Sequence, residues 1–180
     1  MRSKSARPLT FRSARMLLYG AGILAAVSPV FVLPLAGGER SVALDQIALE
    51  VSADRLQYVY NLMPPLPPTI PGPLVRARIR LTNGSDEELA LDFPSSQRFD
   101  FLLEDERGHI VFRWSDDKVF LPVLGREIVR PGRSLIYEAT FSLPGSDRGI
   151  LPAGRYTLRG ILVAETPFSG SLPVRIIHAH

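Results

Sequence analysis

Residues 74–82 read LVRARIRLT, with Val75, Ala77, Ile79 and Leu81 alternating with Arg76, Arg78, Arg80 and Thr82. A period of two is that of a strand with one buried face and one wet face. The three arginines are read as the solvated face rather than as a stripe for an anionic ligand.

The same device recurs along the chain. Asn83-Gly84 gives a turn signal before LALDF, where Leu89, Leu91 and Phe93 share one side. Phe99, Phe101 and Leu103 alternate with Asp100 and Leu102, and Asp105-Glu106-Arg107-Gly108 turns the chain. Ile110, Phe112 and Trp114 then alternate with Val111 and Arg113, which completes a hairpin. Pro131-Gly132 precedes Leu135, Tyr137, Ala139 and Phe141, and Ala153-Gly154 precedes Tyr156, Leu158 and Leu162. LPVRII near the end supplies a last strand. The 16 prolines and 14 glycines are spread along the chain, as frequent turns between short strands require. The expected fold is all-β, an immunoglobulin-like antiparallel β-sandwich over residues 44–180. Val75, Ile79, Leu81, Phe101, Trp114, Tyr137, Tyr156 and Leu158 are its expected core. Tyr156, after Leu151-Pro152-Ala153-Gly154, is placed for a tyrosine corner. The proline-rich residues 63–73 cannot form a central strand. They are expected to be a loop joining a first strand near residues 46–52 to the strand at residue 74.

The front of the chain has a different chemistry. Residues 1–15 carry Arg2, Lys4, Arg7, Arg12 and Arg15 and no acid, and residues 16–38 carry no charge. That apolar length crosses a hydrocarbon core of about 30 Å as a helix. The basic flank predicts that it stays cytoplasmic and that the domain lies outside. An uncleaved single-pass anchor is the preferred reading. The alternative is a signal peptide cut after Ser41-Val42-Ala43 or after Ala36-Gly37-Gly38, which leaves a periplasmic or secreted domain.

The five basic residues of the tail account for the formal charge of +3. Residues 16–180 hold 16 basic against 18 acidic side chains, so the folded part gives no electrostatic reason to bind nucleic acid. With no cysteine, the chain has no disulfide, no thiolate metal site, no cysteine nucleophile and no lipoprotein attachment point.

Four stretches together carry a family resemblance: LTNGSDEELALDF, FDFLLEDERGHIVFRWSDDKVF, RPGRSLIYEATF and LPAGRYTLRGIL. In this order they resemble the bacterial intracellular proteinase inhibitor (BsuPI) domain, over residues 74–176. FRWSDDKVF is the most specific part, with Phe112 standing where the family often has another tryptophan. The resemblance implies an immunoglobulin-like module and a protein partner, a peptidase.

The cluster Arg113-Trp114-Ser115-Asp116-Asp117-Lys118 invites a catalytic reading, which its spacing does not favour. Adjacent carboxylates on an extended chain point to opposite faces, so Asp116 and Asp117 are not set to share a proton. Ser115 has no recognisable histidine partner. His109 lies in the hairpin turn, and His178 and His180 near the C-terminus do not make a closed metal site. No enzyme, cofactor or metal is expected. Trp114 is expected in the core, Asp116 as the residue that fixes the next turn, and Arg113 paired with an acid on the facing strand.

Residues 116–126 fit this reading less well, because Val119, Phe120, Leu121, Val123 and Leu124 are apolar where a connection is normally polar. They either plug the sandwich, the preferred reading, or form an exposed contact patch. If exposed, Lys118, Val119, Phe120 and Leu121 would suit a protease cleft, which accepts an extended strand by main-chain pairing. The leading functional reading is therefore an exported or anchored protein-binding module, a proteinase inhibitor by resemblance. The alternatives are an envelope scaffold and, in third place, a hydrolase.

Overall fold

A computed structural model of the chain describes residues 46–180. The N-terminal hydrophobic segment lies outside these residues. Ten strands make up the described part: β1 (Ile47–Ala53), β2 (Gln57–Asn61), β3 (Leu74–Asn83), β4 (Leu89–Phe93), β5 (Phe99–Glu104), β6 (Ile110–Arg113), β7 (Gly125–Val129), β8 (Ser134–Ser142), β9 (Gly154–Leu162) and β10 (Phe168–Ala179). They form a three-stranded sheet β1-β3-β8, a five-stranded sheet β2-β10-β9-β5-β6 and a two-stranded sheet β4-β7. All pairings are antiparallel except β2 with β10.

The alternation in β3 becomes burial: Val75, Ala77, Ile79 and Leu81 are buried, and Leu74, Arg76, Arg78 and Arg80 are exposed. The buried face packs directly on the five-stranded sheet. A methyl group on Gly160 of β9 would come within 2.7 Å of Ile79 Cγ1 and 2.9 Å of Val51 Cγ2, so this crossing requires a residue without a side chain. Leu89, Leu91 and Phe93 of β4 and Val129 of β7 extend the same core, which also includes Phe101, Tyr156, Leu158 and Ile176.

Two strands depart from the expectation. β2 interrupts what was read as one connection, and its buried Tyr58 and Tyr60 close the edge beside β10. β7 begins at the end of residues 116–126, the segment read as a connection, runs on to Val129 and zips onto β4. Trp114 and Tyr137, expected in the core, are half-buried and pack against its margin. Both stand at sheet edges, Trp114 just past β6 and Tyr137 on β8, so their core-facing rings reach only the margin. In β6 the register against β5 shifts between Leu103 and Glu104, and the extra residue breaks the inside–outside parity between Ile110 and Phe112. Ile110 is exposed as a result.

Candidate functional site

The chain leaves β6 through a turn held by Asp100 of β5. This carboxylate is buried and takes four hydrogen bonds. Oδ1 accepts from Phe101 N at 2.9 Å and Ser115 N at 3.2 Å, and Oδ2 accepts from Ser115 Oγ at 2.6 Å and Arg113 Nη1 at 3.3 Å. Trp114 N donates to Phe101 O at 2.9 Å. Arg113 therefore pairs with an acid on the facing strand. Asp116 does not fix the turn: its exposed carboxylate meets only Arg113, Nε to Oδ1 at 3.7 Å. Asp100 wins that role because it sits on a rigid strand, and its two oxygens span the base of the turn. Ser115 Oγ is committed to Asp100, and no imidazole meets it among the described residues.

Aromatic stacking builds the platform above this turn. The Trp114 ring stacks on Phe99 at 4.7 Å and 22°, and Phe99 stacks on Tyr137 at 5.1 Å and 26°. The Tyr137 hydroxyl donates to Glu127 Oε1 at 2.7 Å, and Arg98 Nε donates to the same oxygen at 3.1 Å. Burial and then the bond to Glu127 push the Tyr137 phenol above its ordinary value, so it stays a donor. The Arg98 guanidinium lies against Gly125, where a side chain would displace it.

Between this platform and β7 runs a loop, residues 118–124, whose apolar side chains face solvent. Val119 is 95% exposed, Leu124 80%, Leu121 63% and Val123 57%. The plug reading therefore fails at these four positions. The loop lies over the rim of the sandwich instead of under it. Only Phe120 is half-buried, tilted against Trp114 at 6.3 Å between ring centroids. Lys118 folds back: Nζ sits 4.5 Å over the Trp114 ring and 2.7 Å from Asp117 Oδ1. That contact holds the Asp117 carboxyl below its ordinary value.

The far end of the loop is pinned by Ser96, just before β5. Ser96 N donates to Leu121 O at 2.8 Å, and Leu121 N donates to Ser96 Oγ at 2.9 Å. Val123 N turns back on Leu121 O at 2.8 Å. At the near end Lys118 N donates to Ser115 O at 3.1 Å. Among the described residues nothing hydrogen-bonds the backbone of Val119 or Phe120. A shallow groove of about 470 Å³ runs along one flank, between Trp114, Lys118, Phe141 and Arg148.

The remaining sequence candidates lie elsewhere. The Tyr156 hydroxyl donates to Pro152 O at 2.8 Å, which is tyrosine-corner geometry at the start of β9. His109 meets Asp105 in the hairpin turn, and His178 Nε2 lies 2.8 Å from Leu151 O. Among the described residues no cluster of three or more histidines and carboxylates is placed to hold a metal ion. Sequence reasoning missed Asp100, Ser96 and Arg98. A lone acid in the apolar run FDFLL was a usable signal for Asp100, whereas nothing local distinguishes Ser96 from its neighbour.

The sequence matches the intracellular proteinase inhibitor family, BsuPI, over residues 70–167. That span runs from the end of the proline-rich loop to the last turn and contains Asp100, Trp114 and the whole apolar loop. No curated protein matches the chain. Among solved structures, the chain is similar to the sporulation control protein Spo0M from Bacillus subtilis, at 18% identity and a TM-score of 0.41, covering 75% of this chain and 50% of Spo0M. It is similar to a β-glucosidase from Erythrobacter marinus at 7% identity and a TM-score of 0.39, covering 72% of this chain and 15% of the glucosidase. It is also similar to the Pseudomonas fluorescens alkylpurine DNA glycosylase AlkC, at 10% identity and a TM-score of 0.41, covering 73% of this chain and 30% of the glycosylase. The chain thus spans half the length of the first of these and far less of the others.

Proposed function

We propose that this chain, which belongs to the intracellular proteinase inhibitor family, is a non-catalytic immunoglobulin-like module that binds a peptidase through residues 118–121. The N-terminal segment holds the module outside the cytoplasm, as an anchor or, if cut, as a signal peptide. The observation that carries this reading is the exposed apolar loop tied down at both ends. A free backbone at Val119 and Phe120 offers main-chain donors and acceptors to an extended-strand cleft. Fixing the ends reduces the ordering that binding would otherwise require.

The test is inhibition of a serine endopeptidase by the full chain and by Phe120→Asp. The wild type is expected to inhibit. The variant is expected to lose inhibition and to keep its unfolding temperature, because the ring lies on the rim of the sandwich, where a carboxylate can remain hydrated until a cleft desolvates it. A wild type that leaves peptidases untouched rejects the reading.

One observation favours the second reading, an envelope scaffold. The nine-residue β8 ends its sheet and pairs only with β3 among the described residues. Such an edge accepts an added strand from a larger assembly. A concentration-dependent complex that survives Phe120→Asp would support it over inhibition.

A further inference from the structure

The loop displays several apolar residues, but they are not equally available. Lys118 has its ammonium against Trp114 and Asp117, and Phe120 leans on the same indole. Neither side chain can enter a pocket without giving up its contact with the indole. Leu121 has both backbone groups committed to Ser96. Val123 N is folded back on Leu121, and Pro122 has no N–H to give. Leu124 is exposed but stands between that turned-back residue and Gly125, which is already laddered to Phe93.

Val119 alone combines an exposed side chain with a free backbone that continues into Phe120. An extended-strand cleft grips the main chain and reads one protruding side chain in its primary pocket, whose size and charge set the specificity. Resting on the loop reading above, we infer that the peptidase is one whose primary pocket takes a small branched aliphatic side chain, and that Val119 fills it. Trypsin-like enzymes are disfavoured because the one lysine of the loop is engaged. Chymotrypsin-like enzymes are disfavoured because its one aromatic ring is held down.

The experiment assays the full chain against three serine endopeptidases, elastase-like, trypsin-like and chymotrypsin-like, each with a small chromogenic substrate. The expected result is inhibition of the elastase-like enzyme about 100-fold tighter than of the other two, the scale on which pockets sort mis-sized side chains. Val119→Lys is expected to lose that inhibition by a similar factor and to gain inhibition of the trypsin-like enzyme. Val119→Gly is expected to weaken all three. Both variants should unfold at the wild-type temperature, since the side chain touches little. A wild type that prefers the trypsin-like or chymotrypsin-like enzyme, or a ranking that Val119→Lys does not change, overturns the assignment. If Phe120→Asp still abolishes inhibition in that case, the loop reading survives without it. Failure to inhibit any of the three removes the loop reading and this inference together.

Discussion

Two buried polar corners hold this molecule together, one at Asn83 and one at Asp100, and they differ in what they secure. Asn83 is fully buried at the end of β3 and uses every hydrogen-bonding position of its amide. Nδ2 donates to Glu87 O and Val129 O, both at 2.8 Å, and Oδ1 accepts from Ser85 N at 3.0 Å and Ser85 Oγ at 2.7 Å. Its backbone is bonded to Arg133 O and Gly132 N. One neutral side chain thus ties β3 to the turn before β4 and to the end of β7, and its backbone adds the turn into β8. Asp100 is as buried, but it is charged, reaches water through Arg113, and ties only the turn at the base of the apolar loop. A sealed amide at a junction of strands supports the whole core. A carboxylate beside a loop supports what the loop displays.

This contrast is broken most directly at Asn83. Asn83→Ala strands Val129 O and Ser85 N in the buried corner, at about 1–3 kcal/mol for each unsatisfied group before relaxation, while Ser85 Oγ can still donate to Glu87 O at 3.1 Å. The expected loss of global stability is about 3–4 kcal/mol, read from the shift of the urea midpoint at unchanged slope. A loss below about 1 kcal/mol would mean that the corner opens to water and the distinction between the two is wrong.

Asp100→Ala is expected to destabilise by less, about 2 kcal/mol, because the turn can swing out and rehydrate Ser115 and Arg113. Its larger effect should be on the loop. Amide exchange should speed up at residues 113–121 while the core strands stay protected, and inhibition should weaken by about tenfold as preorganisation is lost. Equal loss of protection across all ten strands would make Asp100 a second core corner.

The two corners were unequally legible in the sequence. Asn83 stands in phase with Val75, Ala77, Ile79 and Leu81, so an unbroken period of two carried it inward, and the turn signal NG marked the corner. The same regularity exposed β4, β8 and β9. It failed where strands are short or lack contrast: GREIV of β7 has one strongly buried position, and QYVYN of β2 stands close before a proline run. It failed at the site for a geometric reason. Trp114 follows an edge strand, so its inward-facing ring reaches only the margin of the core, and alternation alone does not report which strand is an edge. The apolar loop was visible in composition as an anomaly, but whether it plugs or protrudes depends on Ser96, 25 residues upstream, and no local pattern reports that contact.

Ser96→Ala separates display from stability more sharply. It removes one acceptor near the surface, the bond from Leu121 N, and should cost less than about 1 kcal/mol. The return bond from Ser96 N to Leu121 O remains, so the loop should loosen without detaching. Inhibition is expected to fall severalfold, mainly through faster dissociation, as expected when a bound conformation becomes less preformed. An unchanged dissociation rate would show that Leu121 is held by the backbone bond alone.

The smallest expected effect comes from Asp105, which uses the same chemistry as Asp100 without its burial. In the β5–β6 turn its Oδ1 accepts from Arg107 N and His109 N, both at 2.8 Å. The bond from His109 N, the largest influence, outweighs desolvation and together with the bond from Arg107 N holds the carboxyl below its ordinary value. A carboxyl whose native value is lowered contributes stability that is fully present above its unfolded value and is lost as pH falls through the native one. Acidification should therefore loosen this turn at pH values below the ordinary carboxylate range. Because the group is exposed, water replaces the lost bonds, and the change should stay local and small. The amide signals of Arg107 and His109 are expected to titrate together with one low midpoint, while the side-chain amide of Asn83, bonded to two backbone carbonyls, stays fixed, having no charge to lose. If the Asn83 amide instead moved with that midpoint, the loosening would reach the core junction and would not be confined to the hairpin turn.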